Sequence, residues 1–154
     1  MEWPQRFYDL KRGDGCPICA EGRPEETPGG LRIFAGDLSD AYLNRGGVQR
    51  GLTHVYWRGR HVVEPTELSD DEASAFWREV LIVGRALERS LEPVKLNYNI
   101  LGNSVPHLHT HLVPRYADDP RPGWPFPFPD DEPPPHPEAE LRADAAALRA
   151  LLAS

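Results

Sequence analysis

The 154-residue chain is short of positive charge. Seventeen Lys and Arg stand against 24 Asp and Glu, a net charge of −7 at pH 7. Non-specific binding to nucleic acid or to an anionic membrane draws on positive patches, so neither is an expected partner. An anionic small molecule stays open, because a site can be locally positive in an acidic protein. Cysteine is scarce as well, with two residues, and in a reducing compartment such a pair is not expected to form a structural disulfide. Long apolar runs are missing: none approaches the roughly 20 residues that cross a bilayer. The opening Met1-Glu2-Trp3-Pro4-Gln5-Arg6 also lacks the apolar stretch of a signal peptide. A cytoplasmic location is therefore expected.

Proline runs the other way, with 17 residues concentrated late in the chain. Between Pro114 and Pro137, including Trp124-Pro125-Phe126-Pro127-Phe128, neither a central strand nor a helix is expected. That segment should hug the surface with its aromatics down. Self-packing or a dimer contact is favoured there over recognition by a partner's aromatic groove.

The rest reads as one α+β domain with a mainly antiparallel sheet. Residues 1–30 look irregular. Leu31–Ala35, Ala41–Asn44 and Leu52–Trp57 read as strands, the last two paired across Gly46-Gly47. Ser69 and Glu72 form a capping box for a central helix whose stripe includes Ala73, Phe76, Trp77, Val80, Leu81, Gly84 and Leu87. Phe76, Trp77 and Trp57 are expected to pack rather than stack on a ligand. Val94–Leu101 and His107–Val113 are further strands, and a C-terminal helix over 138–153 places Leu141, Ala145 and Leu148 on one face. Residues 1–116 form the expected domain, with the Pro-rich segment and last helix (117–154) packed on it.

The chain holds only six histidines, and three of them alternate in His107-Leu108-His109-Thr110-His111. On a strand this period puts the three imidazoles on one face, neighbours about 6.6–7 Å apart. One metal could take two adjacent members but not easily all three. A linear ligand laid along the strand, such as a chain of phosphates, fits better. Cys16-Pro17-Ile18-Cys19 is a second constellation, open to a metal, a redox pair or no role.

The triad, followed by Pro114-Arg115, resembles the histidine triad (HIT) nucleotide hydrolases and transferases. Ala41-Tyr42-Leu43-Asn44-Arg45 through His54 and His61 is similar to the first hairpin of that family, and Gly102-Asn103-Ser104-Val105-Pro106 to its phosphate loop. The resemblance spans roughly residues 14–116. Thr110 departs from it, being polar where the family usually has an apolar residue, but it points away from the histidines.

The resemblance implies a HIT-like fold and cleavage at the α-phosphate of substituted nucleotides. Dinucleoside polyphosphates and nucleotide phosphoramidates are the substrate classes, with adenine nucleotides as the expected ligands. His109 would be the nucleophile and form a nucleotidyl-histidine intermediate. His111 would contact the phosphate or the leaving group, and His107 would orient the site. Asn103 and Ser104 would hold non-bridging oxygens. Asn44 would bind ribose, or else serve only its turn, and Asn99 would supply a phosphate-contacting amide. Ile18, Phe34 and Leu43 are candidates for the base pocket. Some bacterial members share the Cys pair, which implies a structural zinc held by Cys16, Cys19, His61 and His107. No organic cofactor is implied. A homodimer is, with the sheets of two subunits joined. His54 and His136 receive no role. Two other readings are a nucleotide-binding sensor or scaffold with little turnover, and a metal-dependent hydrolase, which the strand geometry disfavours.

Overall fold

The computed structural model describes residues 1–127 and 133–153. Two short helices, α1 (Gln5–Lys11) and α2 (Pro17–Glu21), open the chain. This corrects the expectation of an irregular stretch over residues 1–30. At α2 the cause is local. Pro17 occupies the first helical position, where its missing N–H would be unpaired anyway and its fixed φ is already helical. Leu10 and Ile18 anchor the two helices by burial.

Strands β1 (Gly30–Ala35), β2 (Ser39–Asn44) and β3 (Thr53–Trp57) follow, each antiparallel to the next. Helix α3 (Asp70–Leu91) begins at the expected capping box: Glu72 N–H donates to Ser69 Oγ at 3.1 Å, and Ser69 N–H to Glu72 Oε1 at 2.9 Å. Asp70 and Asp71 suit the positive end of its dipole. The helix ends at Glu92, left-handed at φ 48° and followed by Pro93. Then come β4 (Lys95–Asn99), β5 (His109–Arg115) and α4 (Glu138–Leu152). The sheet order is β1-β2-β3-β5-β4, antiparallel throughout, so the fold is α+β as read.

Helices α3 and α4 cover one face of the sheet. Phe76, Val80, Val83, Leu87, Leu141, Ala145 and Leu148 pack there against Leu31, Val55, Leu96 and Leu112. Each such Leu or Val contributes about 1.5–3 kcal/mol by burial. Gly84 permits close packing on the sheet, since a Cβ at that position would lie 2.7 Å from the Tyr98 hydroxyl. No helix among the described residues is long and apolar enough to cross a membrane.

Four expectations need correction here. The histidine strand runs from His109 to Arg115, not from 107 to 113, because His107 is drawn off the ladder towards the cysteines. Pro114 lies within it. Its carbonyl accepts from Gln49 Nε2 at 2.6 Å, so its nitrogen faces the same side, past the point where pairing with β3 stops at Leu112. No ladder hydrogen bond is lost. Trp57 and Phe76 do pack edge to face at 5.8 Å, but Trp77 is exposed, its ring beside Tyr98 on the outer edge of the helix stripe. Trp124 is 64% exposed rather than turned down, with the Arg121 guanidinium over its ring. Phe126 is half-buried, and Phe128 lies outside the described residues.

Candidate active site

The face of the sheet opposite the helices carries the histidines, and strand register sets their neighbours. Tyr42, His54, His111 and Asn99 lie in one row across β2, β3, β5 and β4. Asp40, Tyr56 and His109 form the adjacent row. Thr110 sits opposite Val55 on the helix-packed face, away from the rings.

The three histidines are held in different ways. His109 Nδ1 donates to the His107 carbonyl at 2.6 Å. A carbonyl only accepts, so Nδ1 carries the proton and Nε2 keeps a free lone pair. Burial lowers the His109 pKa, against the pull of that hydrogen bond, and keeps the ring neutral. His111 lies 4.9 Å from His109 between ring centroids. Burial first, and then His109, bring its pKa down to about 4. His107 is buried, and its Nε2–H donates to the Trp57 carbonyl at 2.7 Å.

That tautomer turns the His107 Nδ1 lone pair towards sulfur. Cys16 Sγ and Cys19 Sγ are each 3.5 Å away, and Cys19 Sγ is 3.4 Å from His61 Nδ1. All four ligand atoms lie within 4.8 Å of one another. Zinc bonds of about 2.3 Å to sulfur and 2.0–2.1 Å to nitrogen, at a tetrahedral angle, hold those atoms about 3.5 Å apart. The donor set fits. Without an ion, burial and Cys16 push the Cys19 thiol up to about 11, whereas a coordinating cation holds thiols deprotonated.

A cavity of about 210 Å³ opens beside the triad, lined in part by Ile18, Tyr42, Asn44, His54, Tyr56 and Arg58. Ile18 and Asn44 are where the sequence suggested. Asn44 Oδ1 also accepts the Gly46 N–H at 2.7 Å, so it serves its turn as well. Phe34 and Leu43 are corrections, since both belong to the helix-side core and neither lines this cavity. Strand alternation sends Leu43 to the other face, and the register irregularity in β1 between Arg32 and Phe34, which pairs Phe34 with Ala41, puts Phe34 there as well. Asn99 is opposite His111, and its buried Nδ2 has no partner among the described residues. Asn103 and Ser104 are exposed in the loop before β5.

Two residues without an assigned role stand in the site. His54 stacks on His111 with centroids 4.4 Å apart and planes 20° apart, and its Nδ1 is hydrogen-bonded to the Tyr56 hydroxyl at 2.9 Å. Arg58 reaches buried Asp40 at 2.7 Å and lies over the Tyr56 ring. The signal for His54 is in the sequence: Thr53-His54-Val55-Tyr56-Trp57 alternates, so His54 and Tyr56 share a face. Arg115 is occupied elsewhere. It holds Asp119, Asn97 and the Arg121 and Trp124 carbonyls, fastening the segment after β5. A larger cavity, about 720 Å³, lies along β4 and that segment; Asn99 is part of its lining, and no triad histidine is.

Known proteins share this fold. The HIT domain family matches residues 30–118. Protein hit of Bacillus subtilis is 30% identical over 101 residues, covering 56% of this chain and 69% of the relative. Among solved structures, a histidine triad protein from Bradyrhizobium japonicum is 28% identical with a TM-score of 0.69, covering 80% of this chain and 90% of its own. A Zn-bound histidine triad family protein from Mycobacterium smegmatis shares the fold at 21% identity and a TM-score of 0.60, covering 96% and 92%. The family match extends over more than half the chain and takes in all three alternating imidazoles: this protein belongs to the histidine triad family, whose members are in general nucleotide-binding hydrolases and transferases.

Proposed function

We propose that this protein cleaves substituted nucleotides at the α-phosphate through a nucleotidyl-His109 intermediate. The observation that carries the reading is the His109 Nδ1–H bond to the His107 carbonyl, which leaves a neutral imidazole with a bare Nε2. Nε2 attacks the α-phosphorus, forming a P–N bond as the bond to the leaving group breaks. Water then attacks phosphorus, losing a proton to the His111 left neutral by the first step; the P–N bond breaks, and a nucleoside monophosphate leaves with His109 restored. His111 is neutral in the free site. It takes up a proton together with the anionic phosphate and passes it to the leaving group.

Asn44 binds the ribose hydroxyls, Asn99 gives its unpaired amide to a phosphoryl oxygen, and Asn103 and Ser104 close over the phosphate from the loop. His107 orients His109. Adenine nucleotides carrying a second nucleoside through a polyphosphate, or an amine at phosphorus, are the substrate classes. Zinc is bound by Cys16, Cys19, His61 and His107, and its chemistry there is structural, tying α2 and the chain after β3 to the start of the triad. Exposed Trp77, Ile82, Val94, Ile100 and Leu101 on α3 and around the open edge strand β4 support a homodimer joined there. The described part of the last segment, residues 117–127 and 133–153, belongs to the same unit, and the site of action is the cytoplasm.

The test is to quench a reaction with a labelled adenylated phosphoramidate and look for covalent nucleotide on the protein. The wild type is expected to carry label at His109, and His109→Gly to carry none and lose turnover by at least about 10³-fold. Turnover without an adduct, or an unlabelled wild type across phosphoramidates and dinucleoside polyphosphates, overturns the reading.

A further inference from the structure

His107 and His109 are each fixed by a hydrogen bond to a backbone carbonyl. His111 is not: its Nδ1 is buried and has no hydrogen-bond partner among the described residues. A ring that must hand a proton to a leaving group needs a defined plane, because misplacing it by an ångström is costly. What lies against His111 is His54. The two rings are nearly parallel, 20° apart, with centroids at 4.4 Å. His54 is in turn pinned through Nδ1 to the Tyr56 hydroxyl at 2.9 Å. Tyr56 is steadied by the Arg58 guanidinium 5.6 Å from its ring centre, and Arg58 by buried Asp40. Register places His54 directly across from His111, with Tyr42 on its far side, so it cannot swing away without leaving the row.

We infer that His54 is a positioning residue: the Tyr56–His54 pair forms a flat, anchored wall that sets the plane of His111 for protonation of the leaving group. His54 also borders the cavity that holds Asn44, so this wall stands where a nucleoside meets its α-phosphate. The inference rests on the proposed function, in which His111 serves the leaving group. It adds a fourth histidine that touches no reacting atom and acts through its neighbour.

The experiment compares two leaving groups on one nucleoside 5′-phosphoryl group: an alkylamine, which needs a proton to depart, and 4-nitrophenol, which departs as the anion. For His54→Ala, kcat on the phosphoramidate is expected to fall about 30-fold, with KM unchanged within about twofold and the nitrophenyl ester slowed no more than about threefold. Tyr56→Phe should show the same selectivity at about a third of that loss. His54→Phe, which keeps a flat ring against His111, should recover most of the activity lost in His54→Ala. Melting temperatures identify a variant that fails to fold, in which case Tyr56→Phe and His54→Phe carry the comparison. Equal losses on the two substrates, or a change confined to KM, overturn the positioning role. A wild type that forms no adduct even with the nitrophenyl ester overturns the parent reading, and the inference with it, and is a distinguishable result.

Discussion

A neutral imidazole serves as a nucleophile, and the burial that keeps it neutral makes folding sensitive to acid. His54 and His111 are held down to about 3 and about 4, in both cases first by burial and then by neighbouring imidazoles. In the unfolded chain a histidine titrates near 6.5. Between these limits the unfolded state binds more protons, so stability rises with pH. It is fully present above about 6.5 and is lost as pH falls toward the folded values, by up to about 1.4 kcal/mol per pH unit for each residue. Burial lowers His107 and His109 in the same direction, so urea midpoints should fall between about pH 7 and pH 5, and His54→Leu should flatten the decline by roughly a quarter. A midpoint that stays level over that range in the wild type contradicts the neutral pair. At Thr110 the same burial strands a hydroxyl: its Oγ1 is buried with no partner among the described residues.

Among the elements, the β1–β2 hairpin carries Asn44 to the cavity, and one glycine sets how closely the strands meet. A Cβ at Gly30 would lie 2.4 Å from the Leu43 carbonyl oxygen, a backbone atom that cannot step aside. Gly30→Ala is expected to cost about 1–3 kcal/mol, the usual range for overpacking, and to weaken nucleotide binding because Gly30 pairs with Asn44. Thermal melts and nucleotide titrations check this; an unchanged melting temperature rules it out. Elements were legible where a periodic pattern had a chemical stop. Ser69 and Glu72 marked the start of α3, and the alternation in β3 and β5 marked a two-faced sheet. Helices α1 and α2 escaped because two turns or fewer leave no period to read. His107 left its strand, and Trp77 the core, for contacts from distant segments that local pattern does not encode. His54 was passed over for a different reason. Its face was readable from alternation, but its partner, His111, is set by the pairing of β3 with β5.

At the scale of the molecule, the site joins segments far apart in the chain, and the Cys–His cluster is the clearest joint. Cys16 and Cys19 come from the start of α2, His61 from beyond β3, and His107 from the approach to β5. The residue types were legible in the sequence. Their convergence was implied by the family resemblance but not by spacing or periodicity, because it depends on the Trp57 carbonyl choosing the tautomer of His107 and on Leu108 N–H bonding Val62 O at 2.7 Å beside it. Unfolding scatters these ligands, so an ion bound by all four stabilises the folded state by mass action. At free zinc about 100 times the dissociation constant, the gain is about 2.7 kcal/mol. For a chain of this length that corresponds to roughly 5–10 °C in melting temperature. Chelation of the zinc-loaded protein should lower its melting point by that amount, and added zinc should restore it. Cys19→Ser should melt low and respond weakly to either treatment. Because His107 also offers its carbonyl to His109 Nδ1, chelation should loosen the nucleophile as well, slowing adduct formation without abolishing it. If chelation and zinc both leave the melting curve of the wild type in place, the cluster is two reduced thiols beside two imidazoles rather than a metal centre. The His109 tautomer then depends on the Trp57 and His107 carbonyls without help from an ion.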